Sequence, residues 1–482
     1  MLLAVFALYV PAISIAALRH EPWFDEAQAW LLARDSNPVD LLTRYLPYEG
    51  SPGLWHLLLM LPSRLLSYRA LNLISATLAV LGVWLLLRYS PFPLPVKLIL
   101  PFTFFLFFQY GVVARNYALM PPLAYLTAMM YPERREKPFL YAALLFAFAN
   151  VSAQGFFIAA GVMAANVLDL MAAWRHASTP LRWRNAAAVA AFGVLMGLLA
   201  LIMRPPPDRI FALPENNEPA VDRIASTADN MLTGAFAESE LILALAMLAS
   251  LWFFWRRGTL MLYLLPTAAV ILFSAFVYHS PWHEGTLFVV WLFVLWVSYE
   301  SESRPGRPGG WERWSRTAVT LAILTVCVVQ MAWTASAVRH DYNLPYSGSK
   351  ALASYIKQHN LDQANLFATG FATVALLPYF ETNIFANYHN RQKPAFWIWS
   401  KSNDMIEDPR RIEEMQPDYV IMTIKAPGGE SFMQLLPSYR QVAVFEGLLY
   451  WKTFALEPDY YILLERRTPG PPPNPRAPGR RS

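Results

Sequence analysis

Residues 2–26 read LLAVFALYVPAISIAALRHEPWFDE, and this stretch decides the fold class. The apolar run Leu2–Leu18 approaches the roughly 20 residues that a helix needs to cross the hydrocarbon core of a membrane. The run has the length of a signal peptide but no basic residues ahead of it, so we predict an uncleaved first span. The acidic pair Asp25–Glu26 follows closely, which places two carboxylates just beyond the end of that span.

The composition of the whole chain also indicates a membrane protein. Of its 482 residues, 56% are hydrophobic and 15% are charged, against about 45–50% and about 25% in ordinary soluble domains. The mean hydropathy of +0.30 is modest for a membrane protein, so we predict that a sizeable polar portion accompanies the apolar one. The single cysteine, Cys327, lies in an apolar run, which excludes an intramolecular disulfide and favours a core residue.

Eleven apolar runs approach the length of a membrane span. They are Leu2–Leu18, Ala70–Leu87, Leu98–Val113, Tyr117–Tyr131, Phe139–Val151, Gly155–Trp174, Ala186–Met203, Leu241–Trp255, Thr259–Tyr278, Thr286–Tyr299 and Thr317–Ala337. The fourth and fifth runs are short, and a re-entrant pair is the alternative interpretation for them. We therefore predict a polytopic α-helical membrane protein with about 11 transmembrane helices.

Basic residues recur in every second loop, and cytoplasmic loops retain Lys and Arg during insertion. These residues are Arg88 and Lys97; Arg134, Arg135 and Lys137; Arg175, Arg182 and Arg184; Arg256 and Arg257; and Arg304, Arg307, Arg313 and Arg316. They predict a cytoplasmic N-terminus, an outer first loop and an outer C-terminal region. Because the basic residues form short clusters rather than one basic face, a formal net charge of +5 does not indicate a nucleic-acid-binding protein.

Two outer segments are long enough to carry function. Residues 19–69 form the first outer loop within a transmembrane module of residues 1–337, and residues 338–467 are predicted to form an extracytoplasmic α/β domain. The Pro-rich residues 468–482 are predicted to be disordered.

Four elements are expected in the extracytoplasmic domain from their spacing. Ser347–Lys357 and Pro409–Met415 are predicted helices, and Asn365–Thr369 and Asp418–Ile424 are predicted strands.

The first outer loop contains three helix-start signals, at Pro22, at Asn37-Pro38 and at Ser51-Pro52. In the first helix the residues Trp23, Ala27, Trp30 and Leu31 share one face, which is typical of a helix lying in the membrane interface. Adjacent helix residues diverge by about 100 degrees, so Asp25 and Glu26 are expected to do different work.

Three motifs resemble the GT-C superfamily of membrane glycosyltransferases, which includes protein O-mannosyltransferases and aminoarabinose transferases. They are Trp23-Phe24-Asp25-Glu26-Ala27, Glu49-Gly50-Ser51-Pro52-Gly53-Leu54-Trp55-His56 and Ala114-Arg115-Asn116-Tyr117-Ala118-Leu119. The resemblance covers roughly the first quarter of the chain, and the remainder matches in layout only.

The resemblance implies transfer of one sugar, with inversion, from a polyprenyl-phosphate carrier to a lipid, glycan or protein acceptor. By this resemblance Asp25 is the general base that deprotonates the acceptor, and Glu26 supports it. The leaving lipid phosphate needs fixed cations or donors. Arg115 is the first candidate and His56 the second, although either could instead be an interfacial anchor or packing residue.

A third group lies between the ninth and tenth predicted spans. His279 and His283 are further candidates for the donor phosphate, and Glu284, with Glu49 and Tyr117 from the motifs, for the acceptor or the sugar. A divalent metal is possible at this turn but is not favoured, because Pro281 and the short turn would strain a three-ligand site. We therefore predict no metal site and no required cofactor.

Three other functions are compatible with the sequence. A transporter of lipid-linked sugars would be expected to carry charged or broken helices near the midplane, and a glycan polymerase or ligase a large outer loop between late spans. A non-catalytic scaffold would not need an intact acidic pair. We predict an enzyme of the bacterial inner membrane with its active site on the extracytoplasmic side.

Overall fold

The computed structural model describes residues 1–210, 218–301, 310–424 and 433–467. The Pro-rich segment 468–482 and the basic residues Arg304 and Arg307 lie outside these residues. The described chain is mainly helical, with a small sheet region toward its C-terminal end.

The described residues contain eighteen α-helices. In chain order they are α1 (Leu2–Arg19), α2 (Phe24–Asp35), α3 (Pro38–Asp40), α4 (Leu46–Glu49), α5 (Leu54–Leu65), α6 (Ala70–Tyr89), α7 (Leu94–Ile99), α8 (Met120–Met130), α9 (Pro138–Ala149), α10 (Ala153–Ala173), α11 (Thr179–Ile202), α12 (Ala220–Phe236), α13 (Glu240–Arg257), α14 (Leu260–Phe276), α15 (Glu284–Glu300), α16 (Gly310–Asn343), α17 (Ser349–Gln358) and α18 (Pro409–Met415).

Six helical stretches of the described chain are long and apolar enough to cross a membrane. They are Leu2–Arg19, Ala70–Tyr89, Leu94–Val112, Ala153–His176, Thr179–Ile202 and Gly310–Asn343. A seventh crossing is present if α12 and α13, which meet at 87°, form one bent span. These helices fit a multi-pass membrane protein, as predicted.

The predicted total of eleven spans depends on four shorter helices. α8 and α9 have 11 and 12 residues, and α14 and α15 have 17 each. All four fall below the roughly 20 residues of an ordinary span. The number eleven and the orientation of the chain therefore stay predictions.

The helical core is built around α15, which is buried from Glu284 to Tyr299. α8, α12, α13 and α14 pack around it. α10 and α14 approach closely at Gly161, where an added Cβ would lie 2.4 Å from the Cα of Pro266. A small residue is therefore needed at this helix crossing.

The first segment between α1 and α6 is helical, as its start signals predict. The Asn37 side chain caps α3 by accepting hydrogen bonds from the backbone N–H groups of Val39 at 3.0 Å and Asp40 at 2.9 Å. The prediction for the third start is wrong in detail, because α5 begins at Leu54 after Gly53 rather than at Pro52. Ser51 and Pro52 have no regular secondary structure and lie between a turn at Gly50 and a bend at Gly53.

The predicted lipid-exposed face of α2 is wrong. Nine of its twelve residues are buried, on all sides of the helix. α2 packs between α5 and a 3₁₀ segment, Phe371–Tyr379, of the C-terminal region. The Phe24 ring lies 4.8 Å from the ring of Phe371 and 5.9 Å from that of Trp399. The two tryptophans of the face that the sequence pattern assigned to lipid are covered by other parts of the protein, since the Trp23 ring lies 5.7 Å from that of Trp282 and the Trp30 ring 5.7 Å from that of Tyr68.

The C-terminal region contains a four-stranded sheet and a separate hairpin. The strands are β1 (Leu366–Thr369), β2 (Tyr419–Ile424), β3 (Tyr439–Phe445), β4 (Leu448–Trp451), β5 (Phe454–Pro458) and β6 (Tyr460–Arg466). The sheet order is β1-β2-β6-β3, in which β1 and β2 are parallel and the other pairs antiparallel. α17, α18, β1 and β2 correspond to the four predicted elements, whereas β3 to β6 were not predicted.

Lys452, in the turn of the β4–β5 hairpin, links the C-terminal region to the helical core through ion pairs. Its ammonium lies 2.9 Å from Glu284 Oε2 and 2.7 Å from Glu238 Oε1, and it donates to the carbonyl of Gly234 at 2.9 Å. Lys452 is 1% exposed. Burial raises the pKa of Glu284 to about 7, although Lys452 acts in the opposite direction.

We expect Lys452→Met to lower the free energy of unfolding by roughly 2 kcal/mol. This is less than the about 3–5 kcal/mol for a stranded buried charge, because Glu284 can take up a proton. Thermal unfolding in detergent at pH 7 measures the change. Lys393→Met, at a lysine that is 58% exposed and 3.2 Å from Asp35, is the control and should shift the transition little. Equal shifts of the transition temperature in the two variants would contradict a role for Lys452 in linking the C-terminal region to the helical core.

Candidate functional site

Glu26 is the most constrained carboxylate at the start of α2. Its Oε2 accepts hydrogen bonds from the Trp23 backbone N–H at 3.1 Å and from His20 Nε2 at 3.0 Å, and its Oε1 accepts from the Ala114 backbone N–H at 2.6 Å. Glu26 is fully buried. Because both oxygens are engaged, Glu26 holds three chain segments together rather than facing a ligand.

His20 extends this contact to the end of α16. Its Nδ1 lies 3.1 Å from Asp341 Oδ1, so the imidazole stands between two carboxylates. Burial alone would lower the pKa of His20, but Asp341 and Glu26 outweigh it and raise the pKa to about 10. An imidazolium between Glu26 and Asp341 therefore closes a buried ionic chain.

Asp25 points away from that chain and meets Arg115. The distance from Arg115 Nη2 to Asp25 Oδ2 is 2.8 Å, and the side chains are 15% and 24% exposed, respectively. Arg115 directly follows Ala114, whose N–H is bound by Glu26. Glu26 thus positions both partners, Asp25 through the first turn of α2 and Arg115 through the neighbouring chain.

Aromatic rings surround the Arg115 guanidinium. Its central carbon lies 5.8 Å from the Trp23 ring, 5.4 Å from the Tyr117 ring and 5.0 Å from the Trp282 ring. Burial opposes the charge of Arg115, but Asp25 and other neighbouring groups raise its pKa above the ordinary value. The guanidinium is therefore a permanent cation in a site with little water.

Buried side-chain nitrogens without hydrogen-bond partners occur on Arg115 itself and on the turn before α15. Among the described residues, Arg115 Nη1, Trp282 Nε1 and His279 Nε2 are buried and make no hydrogen bond. Trp282 contacts Arg115, and the His279 ring lies 6.3 Å from that of His283. A buried polar group left without a hydrogen bond costs about 1–3 kcal/mol, so this concentration of nitrogens is suited to an anionic ligand.

The turn before α15 carries two histidines, His279 and His283. Its His283 Nδ1 accepts a hydrogen bond from the Ser280 backbone N–H at 3.1 Å. Burial, Arg115 and His279 hold the pKa of His283 well below its usual value, and burial lowers that of His279. Both imidazoles are therefore neutral at pH 7, and Arg115 supplies the positive charge.

Glu49 is a second carboxylate near Asp25. Its Oε1 accepts a hydrogen bond from Gln28 Nε2 at 2.8 Å, and Gln28 also bonds the backbone of Trp397 through both amide atoms. Burial raises the pKa of Glu49 to about 7; the Gln28 hydrogen bond opposes this rise, and the negative charge of Asp25 adds to it. Glu49 is therefore about half ionised near neutral pH.

The segment that follows α11 contacts Tyr48, the residue before Glu49. Tyr48 donates to Asp208 Oδ1 at 2.9 Å, and the Ser400 hydroxyl donates to Asp208 Oδ2 at 2.6 Å. Three parts of the chain therefore meet at the same end of the helical core. They are the segment between α1 and α6, the chain after α11 and the C-terminal region. We call this end the site end.

The structure brings most of the predicted site residues together but not all. Asp25, Glu26, Arg115 and Tyr117 lie in direct contact or share partners, with Glu49, His279 and His283 beside them. His56, 6% exposed at the first turn of α5, has no described hydrogen bond to this group, and burial lowers its pKa to about 4. The Glu284 carboxylate is bonded to Lys452.

No group of three His, Cys, Asp or Glu side chains in the described chain is arranged to hold a metal ion. In the turn from His279 to Glu284, two of the three candidate ligands already have other partners. His283 Nδ1 is already bonded to Ser280, and Glu284 is engaged by Lys452.

Four residues with contacts at the candidate site were not predicted as site residues. His20 and Gln28 lie beside the first motif and Trp282 lies between His279 and His283, and a polar residue at the end of a span is a usable signal. Asp341 is 321 residues from His20, and no local pattern joins them.

The site has the groups that a nucleophilic substitution at a phosphate ester of a sugar requires. Asp25 is a partly exposed carboxylate that can accept a proton, and Arg115 can stabilise a departing phosphate. The surrounding rings shield the Arg115 guanidinium and can stack on a sugar.

Comparison with models of protein families, with characterised proteins and with solved structures finds no significant match to this chain. The glycosyltransferase resemblance therefore depends on the residue motifs alone.

Proposed function

We propose that the protein is a glycosyltransferase that moves a sugar from a polyprenyl-phosphate donor to an extracytoplasmic acceptor with inversion. The observation that carries this proposal is the Asp25–Arg115 ion pair with buried, unpartnered nitrogens beside it. A single displacement at the anomeric carbon uses a base for the acceptor proton on one side of that carbon and a cation for the departing phosphate on the other.

The chemistry follows from the two partners. The acceptor oxygen forms a bond to the anomeric carbon as its proton passes to the Asp25 carboxylate. The bond from that carbon to the phosphate oxygen breaks, and its electron pair leaves on the polyprenyl phosphate. Arg115 uses Nη2 to hold Asp25 and Nη1 to bind the phosphate, so one guanidinium orients the base and stabilises the leaving group.

A transfer assay tests the proposal. The purified full chain in liposomes is given a panel of labelled polyprenyl-phosphate sugars together with lipid, glycan and peptide acceptors. We expect labelled product and free polyprenyl phosphate with at least one donor, and a raised donor KM in Arg115→Lys, which keeps the charge but loses the planar fork. If no donor in the panel is turned over, the proposal is wrong.

We expect donor affinity to fall as the pH rises through about 7. Glu49, whose pKa is raised to about 7, is mostly protonated below that pH and ionised above it, where its charge repels the donor phosphate. KM for the donor should therefore increase between pH 6 and pH 8 in the wild type and stay nearly constant in Glu49→Gln. A Glu49→Gln profile that matches the wild type would show that another group titrates.

We also propose the eleven-span arrangement with the site end outside a bacterial inner membrane. Its support is the phase of the basic loops, which alternate with the segments that meet at the site end. Thiol labelling tests it in a Cys327→Ser background. Val39→Cys, at a residue 68% exposed, should react with an impermeant reagent in intact cells, and Glu136→Cys only after permeabilisation. The reverse pattern would overturn the orientation.

One observation favours a carrier of lipid-linked sugars as the second candidate. α12 and α13 form a helix pair broken at 87°, with Glu238 at the break and paired to Lys452, and broken helices are common in transporters. A carrier would move labelled donor across liposomes without transferring the sugar. The enzyme is expected to do the opposite.

A further inference from the structure

A second polar site lies at the far end of α10, away from Asp25. α10 begins near Val151, whose carbonyl accepts a hydrogen bond from Asn116 of the site end. Its 21 residues span about 30 Å at 1.5 Å per residue. The end of α10 is therefore separated from the candidate active site by the thickness of a hydrocarbon core.

A cleft of about 190 Å³ opens at this end. Its walls come from the chain after α8, the end of α10 and the start of α11. The lining residues are Arg135, Leu170, Ala173, Trp174, His176, Ala177, Leu181, Arg182 and Asn185. The volume is several times the roughly 30 Å³ of a water molecule but below the about 300 Å³ of pockets for drug-sized ligands. A small polar group fits this size.

The two arginines of the cleft are held in place by the backbone. Arg182 donates from Nε to the Ala177 carbonyl at 2.8 Å and from Nη2 to the Arg175 carbonyl at 3.0 Å. Arg135 donates from Nη2 to the Asp169 carbonyl at 3.2 Å. Its Nε is buried and has no hydrogen-bond partner among the described residues. Arg135 Nη2 also lies 3.8 Å from Asp169 Oδ2, and the Arg135 side chain is 41% exposed. The cleft thus presents two cations, one of which is paired with a carboxylate, and one unused buried donor.

The surroundings combine basic and lipid-facing surfaces. Residues 131–137 and 169–185 contain six Lys and Arg residues against three carboxylates. Met171 and Trp183 beside the cleft are 67% and 66% exposed, and the Trp174 ring packs edge-on against Trp183. Exposed tryptophan next to basic residues is typical of the boundary between acyl chains and headgroups.

We propose that this cleft binds the headgroup phosphate of an anionic phospholipid. Arg135 and Arg182 bind the phosphate, while the acyl chains lie along the exposed apolar faces of α10 and α11. Basic pockets between membrane helices are suited to such headgroups. The ligand is a lipid rather than free phosphate, because the cleft is continuous with apolar surface that an acyl chain can cover. This site does not depend on the proposed glycosyltransferase activity.

A binding titration tests the site. The purified full chain in neutral detergent is titrated with phosphatidylglycerol and with phosphatidylcholine that have the same acyl chains. We expect the wild type to prefer phosphatidylglycerol. Arg135→Ala/Arg182→Ala should weaken its binding by about 25-fold, since each arginine near a lipid phosphate contributes about fivefold. A wild type without preference overturns the proposal.

Matched variants distinguish lipid binding in the cleft from non-specific electrostatic attraction between the basic surface and anionic lipid. Arg175→Ala/Arg184→Ala removes the same charge from exposed residues outside the cleft. This control should bind phosphatidylglycerol at least fivefold more tightly than Arg135→Ala/Arg182→Ala does. Ala173→Trp keeps every charge but fills the cleft, and it should lose the preference as well. Equal losses in the two double variants, or full binding by Ala173→Trp, would each refute the site. Displacement of phosphatidylglycerol by inorganic phosphate would refute its lipid character.

Discussion

Replacing Asp25 by Asn is expected to reduce the rate of sugar transfer by about 10²–10⁴-fold, the usual contribution of a general base. Asn has the same shape as Asp but cannot accept the acceptor proton. Arg115 keeps its aromatic neighbours and its unpartnered Nη1, so the donor phosphate should still bind. We therefore expect kcat to fall far more than donor KM changes, as measured by initial rates over a range of donor concentrations.

Asp40→Asn is the matched control for this substitution. Asp40 belongs to the same segment, and its carboxylate accepts a hydrogen bond from Asn37 Nδ2 at 2.6 Å at an exposed position. The same chemical change there should leave transfer within about twofold, because surface substitutions usually alter stability by under 0.5 kcal/mol. Equal activity of Asp25→Asn and the wild type would remove Asp25 from the mechanism.

Replacing Glu26 by Gln is expected to lower the free energy of unfolding by about 1–3 kcal/mol, the cost of a buried polar group whose hydrogen bonds are no longer matched. Glu26 accepts hydrogen bonds at both oxygens, from Trp23 and His20 on one side and Ala114 on the other. An amide nitrogen at either position would face a donor. Thermal unfolding in detergent should therefore show a lower transition temperature, accompanied by loss of transfer.

This substitution also has a signature in the pH dependence of stability. The pKa of His20 is raised to about 10 in the folded protein from an ordinary value near 6.5. Its contribution to stability is therefore complete below about pH 6.5 and is lost as the pH rises toward 10. Glu26→Gln should weaken this decline, because Asp341 alone then holds the imidazolium.

The stability of Glu26→Gln also shows whether Glu26 acts by positioning other groups or takes part in catalysis itself. Glu21→Gln is the control, since Glu21 pairs with Lys350 at 2.9 Å near the same helix start and should alter the transition little. If Glu26→Gln unfolds like the wild type but loses kcat, Glu26 is a catalytic residue and not a positioning residue.

The sequence predicts the local parts of this molecule well. The run Leu2–Leu18 and the start signal at Asn37-Pro38 depend on neighbouring residues, and the structure has a helix at each. The acidic pair was expected to divide its work because adjacent helix residues diverge. Asp25 indeed faces Arg115, whereas Glu26 is buried.

The sequence could not predict contacts between distant segments. The apolar stripe of α2 is typical of an interfacial helix, and only the positions of Tyr68 and Trp282 in the fold show that protein covers its tryptophans. Lys452 follows a short strand and would ordinarily be exposed. Its burial depends on Glu284, which lies 168 residues earlier.

The most direct test of the proposed mechanism is the anomeric configuration of the transferred sugar, determined by NMR of the product of a donor with known configuration. Glu26 is bonded at both oxygens, and Asp25 is assigned to the acceptor proton, so neither carboxylate is expected to form a covalent glycosyl intermediate. We predict inverted configuration in the product. A product with retained configuration would contradict a single displacement in which Asp25 is the base.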